Sequence, residues 1–476
     1  MFSRDDKKGR VCVRENVQNR TNPLGSEKIS LLIRKFAVPS VISMLVNSVY
    51  NIVDQIFIGQ GVGYLGNAAT NVAFPLVSLT LAISLMIGNG CAANTSLLLG
   101  QGHREEASEG FGTGLMMSLV CGILLAGISA LFLPELMMLF GATDIILQYA
   151  LDYTSVTLIG IPFMMMTLTL NAVIRADGSP RYSMLSILSG AILNTILDPI
   201  FIFVLHLGVQ GAAMATVIGQ IFGFGFSALY LLRFKHIDFR WSYVKLKFNY
   251  AKTIAVLGMA SLITQLSGVF VQIVLNNSLK YYGALSSYGS EVPLSVMGIV
   301  MKVNMIVISV ILGIGIGAQP IIGFNYGAGN YARVKSALKT VLIYTCAVAF
   351  VGWLCFMLFP QAIISVFGAE DEVYTHFAVL AFRIFLLGLF AAGFQIPMSG
   401  YFQSVGKPQK ASLLSLTRQI FFLIPLILIF PIFWGIEGIL YAGPVADIGA
   451  ALLTYILFRK EQLILNAQPE QSIRKN

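Results

Sequence analysis

The chain has 476 residues, 56% of them hydrophobic and only 11% charged, with a mean hydropathy of +0.78. That balance excludes an ordinary soluble globule, because so much apolar surface needs lipid as its solvent. The formal net charge of +9 is concentrated in loops, so it reads as membrane topology and gives no reason to expect a nucleic-acid partner.

Residues 1–36 form a polar tail carrying nine basic side chains, from Arg4 to Lys35, and lead into Pro39. A spanning helix needs about 20 apolar residues. Windows of that kind lie near 37–58, 67–99, 111–133, 145–173, 182–205 and 209–232. A basic, aromatic stretch at 233–252 follows, with Phe234, Phe239, Trp241 and Tyr243 among six Lys and Arg. It is expected either to lie on an anionic leaflet or to be a solvated connector. Six more windows lie near 253–278, 292–322, 336–359, 374–402, 411–433 and 438–458, before a polar tail at 461–476. The expectation is therefore an all-α membrane protein of twelve transmembrane helices, in two homologous six-helix lobes at 37–232 and 253–460.

The two lobes are copies. At a shift of about 227 residues, Phe140-Gly141-Ala142-Thr143-Asp144 returns as Phe367-Gly368-Ala369-Glu370-Asp371. Gly100-Gln101-Gly102 returns as Gly327-Ala328-Gly329, Gly178-Ser179-Pro180 as Gly406-Lys407-Pro408, and Leu207-Gly208 as Trp434-Gly435. Lys and Arg fill the loops on one side of this array, Lys280 excepted, which places both termini in the cytoplasm of a multi-pass bacterial inner-membrane protein. Gly88, Gly90, Gly313, Gly315 and Gly317 punctuate the second and eighth spans, where small residues let backbones approach.

Ionisable groups inside spans are the functional candidates, because a charge in hydrocarbon is retained only where it faces a cavity or a partner. Asp198 lies well inside the fifth span, Asn194 is one helical turn before it, and Pro199 has no N–H to give the Thr195 carbonyl. Asp54 shares the first span with Asn47 and Asn51, at spacings of seven and three that put all three on one polar stripe. Counting residues from the span ends brings Asp54, Asn194, Asp198 and Thr216 to similar depth. Two carboxylates in low dielectric cannot both stay ionised unless a proton or a cation such as Na⁺ sits with them. The second lobe carries Lys302, Arg383 and Asp447 at a common depth, and Asp447 is expected to neutralise Lys302 or Arg383 as a structural pair. Arg418 lies nearer the inner face.

The five cysteines and four histidines show no metal or disulfide spacing, and no nucleotide-binding or hydrolase motif is present, so no cofactor and no enzyme chemistry are expected. The set Val53-Asp54, Gly100-Gln101-Gly102, Arg175-Ala176-Asp177-Gly178-Ser179-Pro180, Asn194 with Asp198-Pro199, and Gly315-Ile316-Gly317-Ala318-Gln319-Pro320 resembles the multidrug and toxic compound extrusion (MATE) family, close to its MepA-like bacterial branch. The resemblance covers residues 28–460. It implies a V of two lobes around a central cavity, exporting cationic amphipathic drugs by antiport with Na⁺ or H⁺, and working as a monomer among membrane lipids. It also implies that Asp54, Asn194, Asp198, Thr216 and the Ala212 carbonyl form the coupling site, and that Asn47 and Asn171 line the drug cavity, where Asn51 of the same polar stripe is expected as well. Gln265 and Gln272 in the seventh span and Arg383 in the tenth depart from branches that carry acids there, which leaves the first lobe as the coupling site. The alternative is a flippase for lipid-linked sugars or lipids, which calls for several basic residues in the cavity.

Overall fold

A computed structural model describes residues 22–365 and 372–467. The repeated motif at 367–371 and the outer parts of both tails, Cys12 included, lie outside the described residues. The described chain is helical. The first repeat comprises α1 Ile29–Gly61, α2 Tyr64–Gln101, α3 Arg104–Leu131, α4 Asp144–Ala176, α5 Pro180–Pro199 and α6 Gly208–Ala228. A five-residue π turn, Ile200–Val204, continues α5. The second repeat begins with α7 Phe248–Ala284, α8 Glu291–Gly327 and α9 Tyr331–Leu358, followed by α10, which is the bent pair Glu372–Phe385 and Leu389–Ser404.

The last helical run, Pro408–Asn466, is 59 residues long. At about 1.5 Å per residue it is far longer than the roughly 30 Å hydrocarbon core requires. It breaks at Gly435, whose φ of 58° and ψ of −143° are not helical. The run thus holds two spans, α11 over residues 408–434, with a π segment at Thr417–Leu423, and α12 over residues 436–467. With the bent pair as one span, each repeat has six.

The sequence repeat is also a backbone repeat. Gly102 and Gly329 have φ of 86° and 72°, Gly178 and Gly406 have 89° and 75°, and Gly208 and Gly435 have 59° and 58°. Each pair ends or turns a helix in the left-handed region that a Cβ disfavours, so the duplicated glycines reproduce the same chain reversals.

The two repeats meet mainly where α1 and α7 begin and α2 and α8 end. There α2 packs on α7, and α1 on α8, at glycines. A Cβ at Gly313 would lie 2.6 Å from Val41 Cα, and one at Gly317 would lie 2.8 Å from Ala37 Cα. Gly90 and Gly258 abut the carbonyls of Ile254 and Met86 in the same way, whereas Gly315 faces open space. A polar bond adds to the closure, with Asn89 Nδ2 of α2 donating to Ser261 Oγ of α7 at 3.0 Å, and within the second repeat Gln403 Nε2 donates to the Leu257 carbonyl at 2.9 Å. Three of the five glycines singled out in the sequence are thus packing positions between the repeats.

The 233–252 segment is neither a loose connector nor wholly laid out on a leaflet. Buried Asp177 accepts from the backbone N–H groups of Lys235 and His236, at 2.9 and 2.8 Å, and from Tyr230 Oη at 2.8 Å. Phe234 and Phe239 stack edge-on against Phe111, and Ile237 is buried, while Trp241 and Phe248 remain exposed. Phe234, Phe239 and Ile237 therefore anchor it to the first repeat.

Candidate functional site

The site grows from α5. Its glycine Gly190 lies against Gly219 of α6, where a Cβ would be 2.8 Å from the facing carbonyl, so the two backbones approach one turn from Asn194 and Thr216. Asn194 Nδ2 consequently reaches both Asp198 Oδ1 and Thr216 Oγ1, each at 3.3 Å. Pro199 ends the regular hydrogen bonding immediately after Asp198, and the π turn follows. From α1, Asp54 comes close enough to Asp198 for the two acids to interact directly. Asp198, Asn194 and Asp54 are all buried.

Four of the residues grouped by depth, Asp54, Asn194, Asp198 and Thr216, thus come together. Three oxygens of this cluster, Asp54 Oδ1, Asp198 Oδ2 and Asn194 Oδ1, are buried with no hydrogen-bond partner. An unsatisfied buried acceptor costs about 1–3 kcal/mol and more when charged, so converging oxygens of this kind suit a proton or a hard cation. The oxygen set therefore fits a proton or a small hard cation such as Na⁺. Ala212 lies one turn before Thr216 on α6, fully buried with Ile58 and Ile202. Sequence reading passed over Tyr50 and Tyr153, both of which lie close enough to interact electrostatically with the two acids. Tyr50 sits one turn from Asp54, a spacing that could have revealed it.

Beside the acids lies a central cavity of about 540 Å³, lined by residues of both repeats. Its walls are apolar side chains such as Met44, Leu81, Met164, Leu312 and Ile396, interleaved with ten carboxamides: Asn47, Asn89, Asn171, Asn194, Gln220, Gln265, Gln319, Gln395, Gln403 and Gln419. Asn171 is buried, and neither end of its amide has a partner. Tyr50, Asn194 and Thr216 line this cavity and separate it from Asp54 and Asp198, which do not. Asn51 is outside the lining, and its amide donates to the Asn47 carbonyl of its own helix at 2.6 Å. Most of the carboxamides were not singled out in the sequence, although Gln395, Ser399 and Gln403 recur every fourth residue and mark a polar stripe.

The charges of the second repeat are arranged differently from the expectation. Asp447 pairs with Arg418, Nε to Oδ1 at 2.7 Å, and not with Lys302 or Arg383, both of which are exposed. Counting residues from span ends placed Arg418 too near the inner face, because α11 begins at Pro408 and carries Arg418 ten residues, or about 15 Å, into the span. Among the described residues Arg418 is the one charged side chain in the cavity wall.

Two six-helix repeats closing on one side of a shared cavity, with buried acids beside it, define the class of duplicated secondary transporters. The MatE family model matches the chain twice, over residues 39–200 and 269–429, and the chain belongs to that family of membrane transporters, which are not enzymes. It is 26% identical to the multidrug export protein MepA of Staphylococcus haemolyticus over 89% of this chain and 91% of that protein. It is 22% identical to the FAD transporter of Shewanella oneidensis, over 91% and 95%. Among solved structures it superposes on a MATE family multidrug resistance transporter in an outward-facing conformation, with a TM-score of 0.87, 24% identity, and 94% and 98% of the two chains covered. A transporter of the same superfamily from Pyrococcus furiosus, described as having a binding pocket of reversed polarity, gives a TM-score of 0.86 at 23% identity over 94% and 98%.

Proposed function

We propose that this transporter is an exporter of amphipathic drugs, cationic ones included, that exchanges them for inward Na⁺ or H⁺ held between Asp54 and Asp198. The observation that carries the reading is the set of partnerless buried oxygens on Asp54, Asp198 and Asn194, one layer behind a mixed apolar and carboxamide cavity. Such oxygens are stable only when an ion or proton visits them, which ties occupancy of the first repeat to the state of the cavity. Asn194 and Thr216 belong to both places, so movement of either on solute binding alters the ion site. The two repeats act as bundles that rock about their glycine contacts and expose the cavity to each side in turn, with both termini in the cytoplasm. The multidrug export relative supports drugs as the solutes. A flippase for charged headgroups calls for several basic residues in the cavity, and a single Arg418, already paired, does not favour it.

The test is uptake by inside-out vesicles of ethidium under an imposed Na⁺ gradient and, separately, a pH gradient. Gradient-driven accumulation with one of the two ions is expected; accumulation with neither would remove the exchange reading.

A further inference from the structure

Arg418 is unusual as the one charge in an otherwise uncharged cavity wall. Its π segment, Thr417–Leu423, sits in the helix of the second repeat that corresponds to α5, whose own π turn begins just after Asp198. A π segment turns side chains away from the regular helical register, and such segments occur often at functional sites. Here it presents Arg418 and Gln419 together to the cavity. Asp447 is buried and engages only the Nε edge of the guanidinium, which leaves the terminal N–H groups with no protein partner among the described residues. On the same wall, buried Gln395 has its Nε2 engaged by the Leu414 carbonyl at 3.3 Å and its Oε1 partnerless, and Gln419 Oε1 is likewise partnerless. The wall therefore offers a planar, oriented cation flanked by acceptors, above the apolar surface of Leu414 and Ile396.

Resting on the reading of the cavity as an export site, we propose that Arg418 forms a subsite for the carboxylate of an amphipathic aromatic solute, with Asp447 positioning the guanidinium. The terminal N–H pair matches a carboxylate in the two-bond geometry that arginine favours, and the apolar wall holds the solute's ring. The cavity then takes zwitterions as well as cations: the acidic group goes to the second repeat, while a basic group faces the field of Asp54 and Asp198 in the first.

The experiment is equilibrium binding to the purified, full-length protein of norfloxacin, which carries a carboxylate, and of its methyl ester, which does not. Wild-type protein is expected to bind the acid about 10-fold more tightly than the ester. Arg418→Gln should abolish that difference while retaining ester binding, and Arg418→Lys should restore part of it. Because Arg418→Gln strands Asp447, the double variant R418Q/D447N is measured alongside it, and it too should show no preference. Equal affinities for acid and ester in wild type, no binding of norfloxacin, or a preference surviving in both Gln variants would overturn the subsite. Binding is read without a gradient, so a protein that prefers the acid yet accumulates no ethidium would remove the export reading and leave this one standing.

Discussion

Arg418 and Asp447 face each other across α11 and α12 with Nε 2.7 Å from Oδ1, and Arg418 lines the central cavity while Asp447 is buried behind it. Their side chains keep 25% and 11% of their exposure, so water screens the bond and its loss is milder than for a fully buried pair. Asp447→Asn should lower stability by about 1–3 kcal/mol, and R418Q/D447N should recover part of it because no charge is left alone. Thermal unfolding in detergent checks both. The ion that drives ethidium uptake should stay the same in Asp447→Asn; a switch from one coupling ion to the other would contradict a structural role.

The glycine contacts between the repeats predict steric control of closure. A side chain at Gly258 meets the Met86 carbonyl, a backbone atom that cannot swing away. Gly258→Val should therefore disfavour this closed arrangement by about 1–3 kcal/mol. Cysteines placed at Asn89 and Ser261, whose side chains are hydrogen-bonded at 3.0 Å, report on it through the yield of a short thiol crosslink. The yield should fall in the Val variant, and crosslinking itself should stop transport. Full efflux from a completely crosslinked protein would rule out alternate exposure of the cavity.

The docking of the 233–252 segment should depend on pH. Burial, with Arg104 and Lys235 nearby, holds the His236 imidazole below its ordinary value of 6.5. A depressed histidine pKa means the docked state binds fewer protons than the undocked one, so docking is fully present above pH 6.5 and weakens as pH falls below it. Hydrogen exchange over residues 233–247 should speed up between pH 7 and pH 5.5 beyond the intrinsic chemical change. In His236→Gln that excess should vanish; an equal excess in the variant would assign the effect elsewhere.

Much of the architecture was legible because lipid makes hydrophobic length a strong signal, and because the glycines that turn the chain are duplicated. Gly208 and Gly435 differ by one degree in φ at a sequence shift of 227. Asp54 and Asp198 stood out for the same reason, since an acid in an apolar span is conspicuous. What sequence could not give was lateral and azimuthal placement. Depth counting assigned Asp447 to Lys302 or Arg383, yet which helices adjoin is decided by packing and by π segments that periodicity does not show. The carboxamides of the cavity were hidden for another reason: uncharged Asn and Gln are common in spans, and only convergence from several helices makes them a lining. Asn51 was the converse case, since its place on a polar stripe did not bring it to the cavity.

The central claim, that Asp54 and Asp198 form one ion site coupled to the cavity, is tested most directly by ethidium uptake in inside-out vesicles holding wild type, Asp198→Asn, Asp54→Asn or the double variant at matched protein levels. Neutral amides keep the shape but supply an N–H where an ion or proton is needed, so the site is filled without being able to exchange. Asp198→Asn should abolish gradient-driven uptake, Asp54→Asn should reduce it at least about 10-fold, and the double variant should be no worse than Asp198→Asn alone, as expected for one coupled unit. Uptake at the wild-type rate by the double variant, with its dependence on Na⁺ or H⁺ intact, would contradict the assignment.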